Sequence, residues 1–162
     1  MKVVNIHERR LGADAGRVGA LIDQLASPQD RLWPRDAWPE MKLDRPLAVG
    51  AKGGHGPIRY VVEAYEPGRS LTCRFTGPRG FDGIHRMEVV SDAGAVVLRH
   101  TLEMQARGPA LFTWPILFRP LHDALLEDGM TKGERAMGLE ARPVPWSLRV
   151  RLLRWLMSTG KR

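Results

Sequence analysis

The sequence predicts an α+β fold in which antiparallel strands are closed by one long helix near the C-terminus. Two hairpin patterns and one change of period carry that reading. Residues 55–75 and 83–106 alternate apolar and polar side chains around short turns, whereas 120–137 places its apolar residues at helical spacing. The chain has 162 residues, 43% hydrophobic and 27% charged, which suits one ordered domain with a single core.

Residues 2–10 begin with Val3 and Val4 and read as a strand with loose alternation. Asp14 is placed to cap a helix over 15–26, where Val18, Leu21, Ile22 and Leu25 fall on one face. Ser27, Pro28 and Asp30 announce a second short helix, which Pro34 and Pro39 end within about two turns. Leu43 to Val49 reads as a short strand, and Gly50, Gly53, Gly54 and Gly56 as a bend.

The first hairpin turns on "EPGR", with Pro67 and Gly68 in the central positions of a type II turn. Ile58, Tyr60, Val62 and Ala64 share one face with Leu71, Cys73 and Phe75. The second hairpin turns on "SDAG" (91–94). With Ser91 opposite Gly94, His85 faces His100, Met87 faces Leu98 and Val89 faces Val96, and Leu102 and Met104 join that face. Pro115 and Pro120 make the start of 110–138 irregular. The regular helix then runs from Pro120 to Met137 and stops at Gly138.

The net charge of +7 sits mostly at the end of the chain. Residues 139–162 hold six basic residues and only Glu140 against them. No nucleic-acid reader motif accompanies the charge, so no specific nucleic acid is expected as a partner. The single cysteine, Cys73, cannot pair within the chain and reads as a buried apolar residue. The opening residues lack a cleavable leader, and no run approaches the ~20 apolar residues of a membrane span. These features together predict a soluble cytoplasmic protein.

In order and phrasing, "ERRLGADAGRVGALIDQLASPQDRLWP", "IRYVVEAYEPGRSLTCRF" and "PLHDALLEDGMTKGERAMG" resemble the START-like, or SRPBCC, superfamily. That superfamily includes polyketide cyclase-like proteins, plant allergen-like proteins and lipid-transfer domains. The resemblance covers about residues 2–138 and implies a helix-grip fold, a curved sheet wrapped around the long helix with a cavity between them. Residues 1–138 would form that domain and 139–162 a basic extension. The implied ligand is a small hydrophobic or amphipathic molecule such as a lipid, polyketide or aromatic metabolite. The superfamily also contains cyclases and dehydratases, so fold alone does not select a function.

From the strands, the expected ligand-binding residues are Tyr60, Val62, Cys73, Phe75, His85, Met87, Leu98, His100 and Leu102. Phe118, His122 and Leu125 add the helical side. His85 and His100 are the candidates for acid–base work, since a neutral imidazole can hold a ligand oxygen or move a proton; both can also simply fill space. His122 and Asp123 are the helix residues that could join them around a metal. No familiar ligand spacing is present, so neither metal nor cofactor is expected. Asp123 and Glu127 read as a solvated stripe. Gly129 and Gly133 call for close packing or free volume, and the glycine-rich stretches 51–57 and 77–83 for gates at a cavity mouth.

The segment 146–157 forms a basic amphipathic helix with two tryptophans. It could dock on its own domain, on a second copy, or on an anionic membrane surface.

Overall fold

The computed structural model describes residues 1–12, 14–92 and 94–159. Seven antiparallel strands form one sheet in the order β1-β7-β6-β5-β4-β3-β2. They are β1 (Lys2–Arg10), β2 (Lys42–Leu43), β3 (Lys52–His55), β4 (Ile58–Glu66), β5 (Ser70–Gly77), β6 (Phe81–Asp92) and β7 (Ala95–Ala106). Four α-helices accompany them among the described residues: α1 (Ala15–Asp23), α2 (Ala110–Thr113), α3 (Arg119–Ala136) and α4 (Leu148–Thr159).

Helix α1 starts where Asp14 accepts a hydrogen bond from the Arg17 amide at 2.8 Å. It buries Val18, Leu21 and Ile22 completely, together with Leu11 and Leu98. Each such side chain contributes roughly 1.5–3 kcal/mol by leaving water. The segment expected to form the second helix is reduced to single turns. Asp30 organises them, accepting from the amides of Ala26, Leu32 and Trp33 at 3.0, 2.9 and 2.8 Å. A carboxylate spent on three local amides holds turns rather than starting a longer helix.

Two strand assignments change. The strand expected over Leu43–Val49 is only Lys42–Leu43, while the glycines of 52–55 themselves lie in strand β3, next to it. A Cβ on Gly53 would strike the Lys42 carbonyl oxygen, which is why this hairpin needs glycine there. The first long hairpin turns as predicted, with Gly68 at φ 72° and the Arg69 amide bonded to the Glu66 carbonyl at 3.0 Å. A bulge between Val62 and Ala64 then turns Ala64 outward, and Tyr65 replaces it opposite Leu71.

The second hairpin pairs Asp92 with Ala95 and Ser91 with Val96, two residues away from the predicted register. His85 therefore faces Leu102, Met87 faces His100 and Val89 faces Leu98. A shift of two keeps every side chain on its predicted face and changes only its partner.

After β7 the chain enters α2 and then a π-helical turn over Trp114–Phe118 before α3 begins. Pro115 has no amide proton to continue the α pattern, and the Arg119 amide reaches back to the Trp114 carbonyl. Gly138, at φ 80°, stops the following helix. Helix α4 docks on α3 and the 34–38 turn, burying Val150 against Leu121, Leu125, Leu126 and Trp38. No helix among the described residues is long and apolar enough to cross a membrane.

Candidate functional site

Between the sheet and α3 lies a cavity of about 150 Å³. Val62 and Leu98 belong to the buried core cluster that also holds Val18, Leu21 and Ile22 of α1. The opening sits under α3 and the π turn, walled by Phe75, Phe81, Trp114, Phe118 and Leu125 among others. The wide turn at Pro115 matters here, since both Trp114 and Phe118 at its ends reach the cavity.

Cys73, Phe75, His85, Met87, His100, Leu102, Phe118, His122 and Leu125 all reach this cavity wall. Tyr60, Val62 and Leu98 do not, which corrects their expected place. Val62 and Leu98 are buried in the core cluster that includes α1, and the Tyr60 hydroxyl lies 3.5 Å from His55 Nδ1. Met104 packs with Phe81 and Trp114 away from the cavity, and Phe112 is exposed. Of the two glycine-rich stretches, His55 to Pro57 borders the cavity; from the other, Phe81 does. Burial pushes the Cys73 thiol up to about 12, so it stays protonated and unreactive at neutral pH.

The chain's five histidines form a single row across the interior. Ring centroids are 5.9 Å apart from His7 to His122, 5.2 Å from His122 to His100, and 5.7 Å from His100 to His85. The Tyr60 ring stands 4.9 Å beyond His85, and His55 lies 5.8 Å further. His85 also stacks on Phe75 at 5.0 Å. Its Nε2, His100 Nδ1 and His122 Nδ1 are buried with no hydrogen-bond partner in the protein.

Burial holds these inner rings neutral. Desolvation, with smaller repulsion from neighbouring histidines, lowers His55 and His85 to about 3. The same causes hold His100 well below its ordinary value and lower His122. The outer end of the row behaves oppositely. Burial works against a charge on His7, but its hydrogen bonds to Asp123 and Glu127 overcome it and raise its pKa. His7 Nδ1 is 3.0 Å from Glu127 Oε1, and its Nε2 is 3.2 Å from Asp123 Oδ1.

His7 is the site residue that the sequence reading passes over. Strand β1 is patterned in reverse: Val4 and Ile6 are exposed, while Asn5, His7 and Arg9 turn inward toward α3. Their partners are Asp123, Glu127 and Glu134, so the expected solvated stripe on α3 is instead an ion-pair seam with β1. Gly133 packs closely on Leu32, whose Cδ1 would stand 3.2 Å from an added Cβ, whereas Gly129 borders the cavity and would keep 3.4 Å to the Leu32 carbonyl.

No protein-family model matches the chain, and no curated protein does either. Solved structures do. Norcoclaurine synthase from Thalictrum flavum superposes with a TM-score of 0.61 at 16% identity, covering 88% of this chain and 96% of that one. The fold is the START-like helix grip. A protein from Thermobifida fusca matches with a TM-score of 0.61 at 17% identity over 87% of this chain and 96% of its own. Ara h 8.0201 matches with a TM-score of 0.57 at 8% identity over 85% and 98%. Likeness at these identities concerns the helix-grip architecture and leaves the chemistry to the residues above.

Proposed function

We propose that this helix-grip domain binds a small amphipathic molecule about the size of one substituted ring. The observation that carries the reading is an apolar cavity of about 150 Å³ lined by His85 and His100, each with a buried nitrogen that has no hydrogen-bond partner. Cavities near that volume admit a single aromatic ring, whereas drug-sized ligands need roughly 300–1,000 Å³. The wider class of lipids and polyketides therefore narrows to a compact metabolite. Buried polar atoms normally have partners, so a ligand hydroxyl or carbonyl meeting His85 Nε2 or His100 Nδ1 completes the site.

Binding is favoured over cyclase or dehydratase chemistry because the same burial weakens these imidazoles as bases. A general base works best with a pKa near the working pH, and His85 lies near 3.

Titrations with phenol, cyclohexanone and toluene, followed by amide and imidazole NMR, test the proposal. Phenol or cyclohexanone should bind about tenfold more tightly than toluene, which lacks the polar group. His85→Phe should erase that preference. Equal binding of all three ligands would reduce the cavity to an apolar void, and unshifted cavity resonances would end the reading.

A second reading rests on α4, where Leu148 and Leu152 are exposed beside the exposed Arg151. Contact with an anionic membrane predicts co-sedimentation with phosphatidylserine vesicles that 0.5 M salt weakens, salt screening being strong at about that strength. A protein that stays in the supernatant at low salt rules it out.

A further inference from the structure

We propose that His7, His122 and Asp123 bind a divalent transition-metal ion, with Zn²⁺ the best fit to two imidazoles and one carboxylate. One donor atom from each residue lies within 4.8 Å of the other two. Asp123 Oδ1 is the point of convergence, 3.2 Å from His7 Nε2 and 3.6 Å from His122 Nδ1. Tetrahedral donors about 2.0–2.1 Å from Zn²⁺ stand about 3.3–3.4 Å from one another. The two separations from Asp123 bracket that distance, and the two histidine donors, within 4.8 Å of each other, would draw together around an ion.

The surroundings are those that orient metal ligands. Glu127 Oε1 lies 3.0 Å from His7 Nδ1, the ring nitrogen facing away from Asp123. A carboxylate there holds the proton on Nδ1 and leaves Nε2 free to donate its lone pair. Asn5 Nδ2 donates to Asp123 Oδ1 at 3.0 Å and fixes the carboxylate. His122 Nδ1 is buried without a hydrogen-bond partner. Arg9 pairs with Glu127 and lies near Glu134, and Arg119 Nε is 3.8 Å from Asp123 Oδ2, so three carboxylates face two guanidiniums here. That balance leaves negative charge for a cation to neutralise. Asp123 is 38% exposed, which gives the ion a path from solvent.

Three protein donors leave a fourth tetrahedral position for water or another oxygen ligand. His122 belongs to the cavity wall, and His100 stands 5.2 Å from it. The metal would therefore sit at the outer end of the cavity. Its binding does not require phenol or any other cavity ligand.

The same contacts have a metal-free explanation, an imidazolium on His7 held between two carboxylates. Calorimetric titration of chelator-treated protein with ZnCl₂ separates the two. One equivalent should bind, and Co²⁺ in its place should give the visible absorption of a four-coordinate site. His122→Phe and Asp123→Asn should each weaken Zn²⁺ binding at least 100-fold, and Glu127→Gln by 10–100-fold. Asp44→Asn, a carboxylate elsewhere on the surface, should change nothing. Absence of binding, or equal binding by the His122 and Asp123 variants, overturns the proposal. If those variants unfold, the imidazole ¹⁵N resonances of wild-type His7 and His122 decide. Both must move with the first equivalent of Zn²⁺, or the site is not theirs.

Discussion

Histidine charge has its largest consequence where the rings are least able to carry it. His55 and His85 have folded-state pKa values near 3, below their ordinary 6.5, because burial disfavours the imidazolium. A histidine depressed in this way contributes its full stability above about 6.5. That contribution is lost as pH falls toward 3, since the unfolded chain takes up the proton first. Urea midpoints should therefore drop steadily between pH 6.5 and 3, and His85→Gln should flatten the drop; a variant with the wild-type slope would show that His85 is not desolvated. Asp128 makes a second residue-scale case. Its Oδ2 accepts from Trp38 Nε1 at 2.7 Å and Trp146 Nε1 at 2.9 Å. Asp128→Ala strands both indole donors and should cost roughly 2–3 kcal/mol in chemical denaturation. A loss below 0.5 kcal/mol would mean that both donors find water.

At the scale of elements, two glycines with opposite surroundings make a matched pair. A Cβ on Gly19 would collide with the backbone of Gly68, so α1 lies directly on the β4–β5 turn. Tyr65 and the Gly68 amide both donate to Asp23 at 2.8 Å and secure the same junction. Gly19→Ala should push α1 off this turn and cost several kcal/mol, as forced overpacking does. Gly129 has room: its nearest neighbours to an added Cβ are the Leu32 carbonyl at 3.4 Å and Pro34 Cδ at 3.7 Å. Gly129→Ala should raise stability by up to about 1 kcal/mol through helix propensity. Melting temperatures of the two variants should move in opposite directions, and a shared direction would contradict the packing described.

For the whole molecule, α4 acts as a strap over the open side of the grip. Arg154 lies between the rings of Trp38 and Trp146, 4.3 and 4.1 Å from their centroids, and donates to the Ala37 carbonyl. Arg149 donates to the carbonyls of Pro115 and Ile116 at 3.0 and 2.7 Å. These are backbone acceptors at the π turn and the 34–38 turn, and Met157 reaches the cavity wall. Val150→Asp would bury an unpaired carboxylate, so the helix should detach instead. Trypsin should then cut between 142 and 154 much faster than in wild type, while the β-sheet circular dichroism stays constant. Unchanged cleavage would show that α4 is held without its apolar anchor.

Much of this architecture was legible in local chemistry. Alternation identified the two long hairpins, the Pro67–Gly68 turn and the face shared by Cys73, Phe75, His85 and His100. Helical period and Gly138 delimited α3, and Asp14 marked the start of α1. The hairpin register was missed by two residues because a shift of two preserves the apolar face, leaving turn closure at Asp92 and Ala95 to choose the partner. In the tail, the amphipathic period alone does not show that Arg154 is drawn inward between two indole faces. His7 carried no local signal, since Val4 and Ile6 on its own strand point outward and only α3 gives its polar face a purpose. By itself the sequence determined the two long hairpins, α1, α3 and their turns, because these answer to periods and caps spanning a few residues. Tertiary structure alone decided which histidines meet, how small the cavity is and where the carboxylates point, because those depend on strands and helices more than 100 residues apart, such as His7 and Asp123.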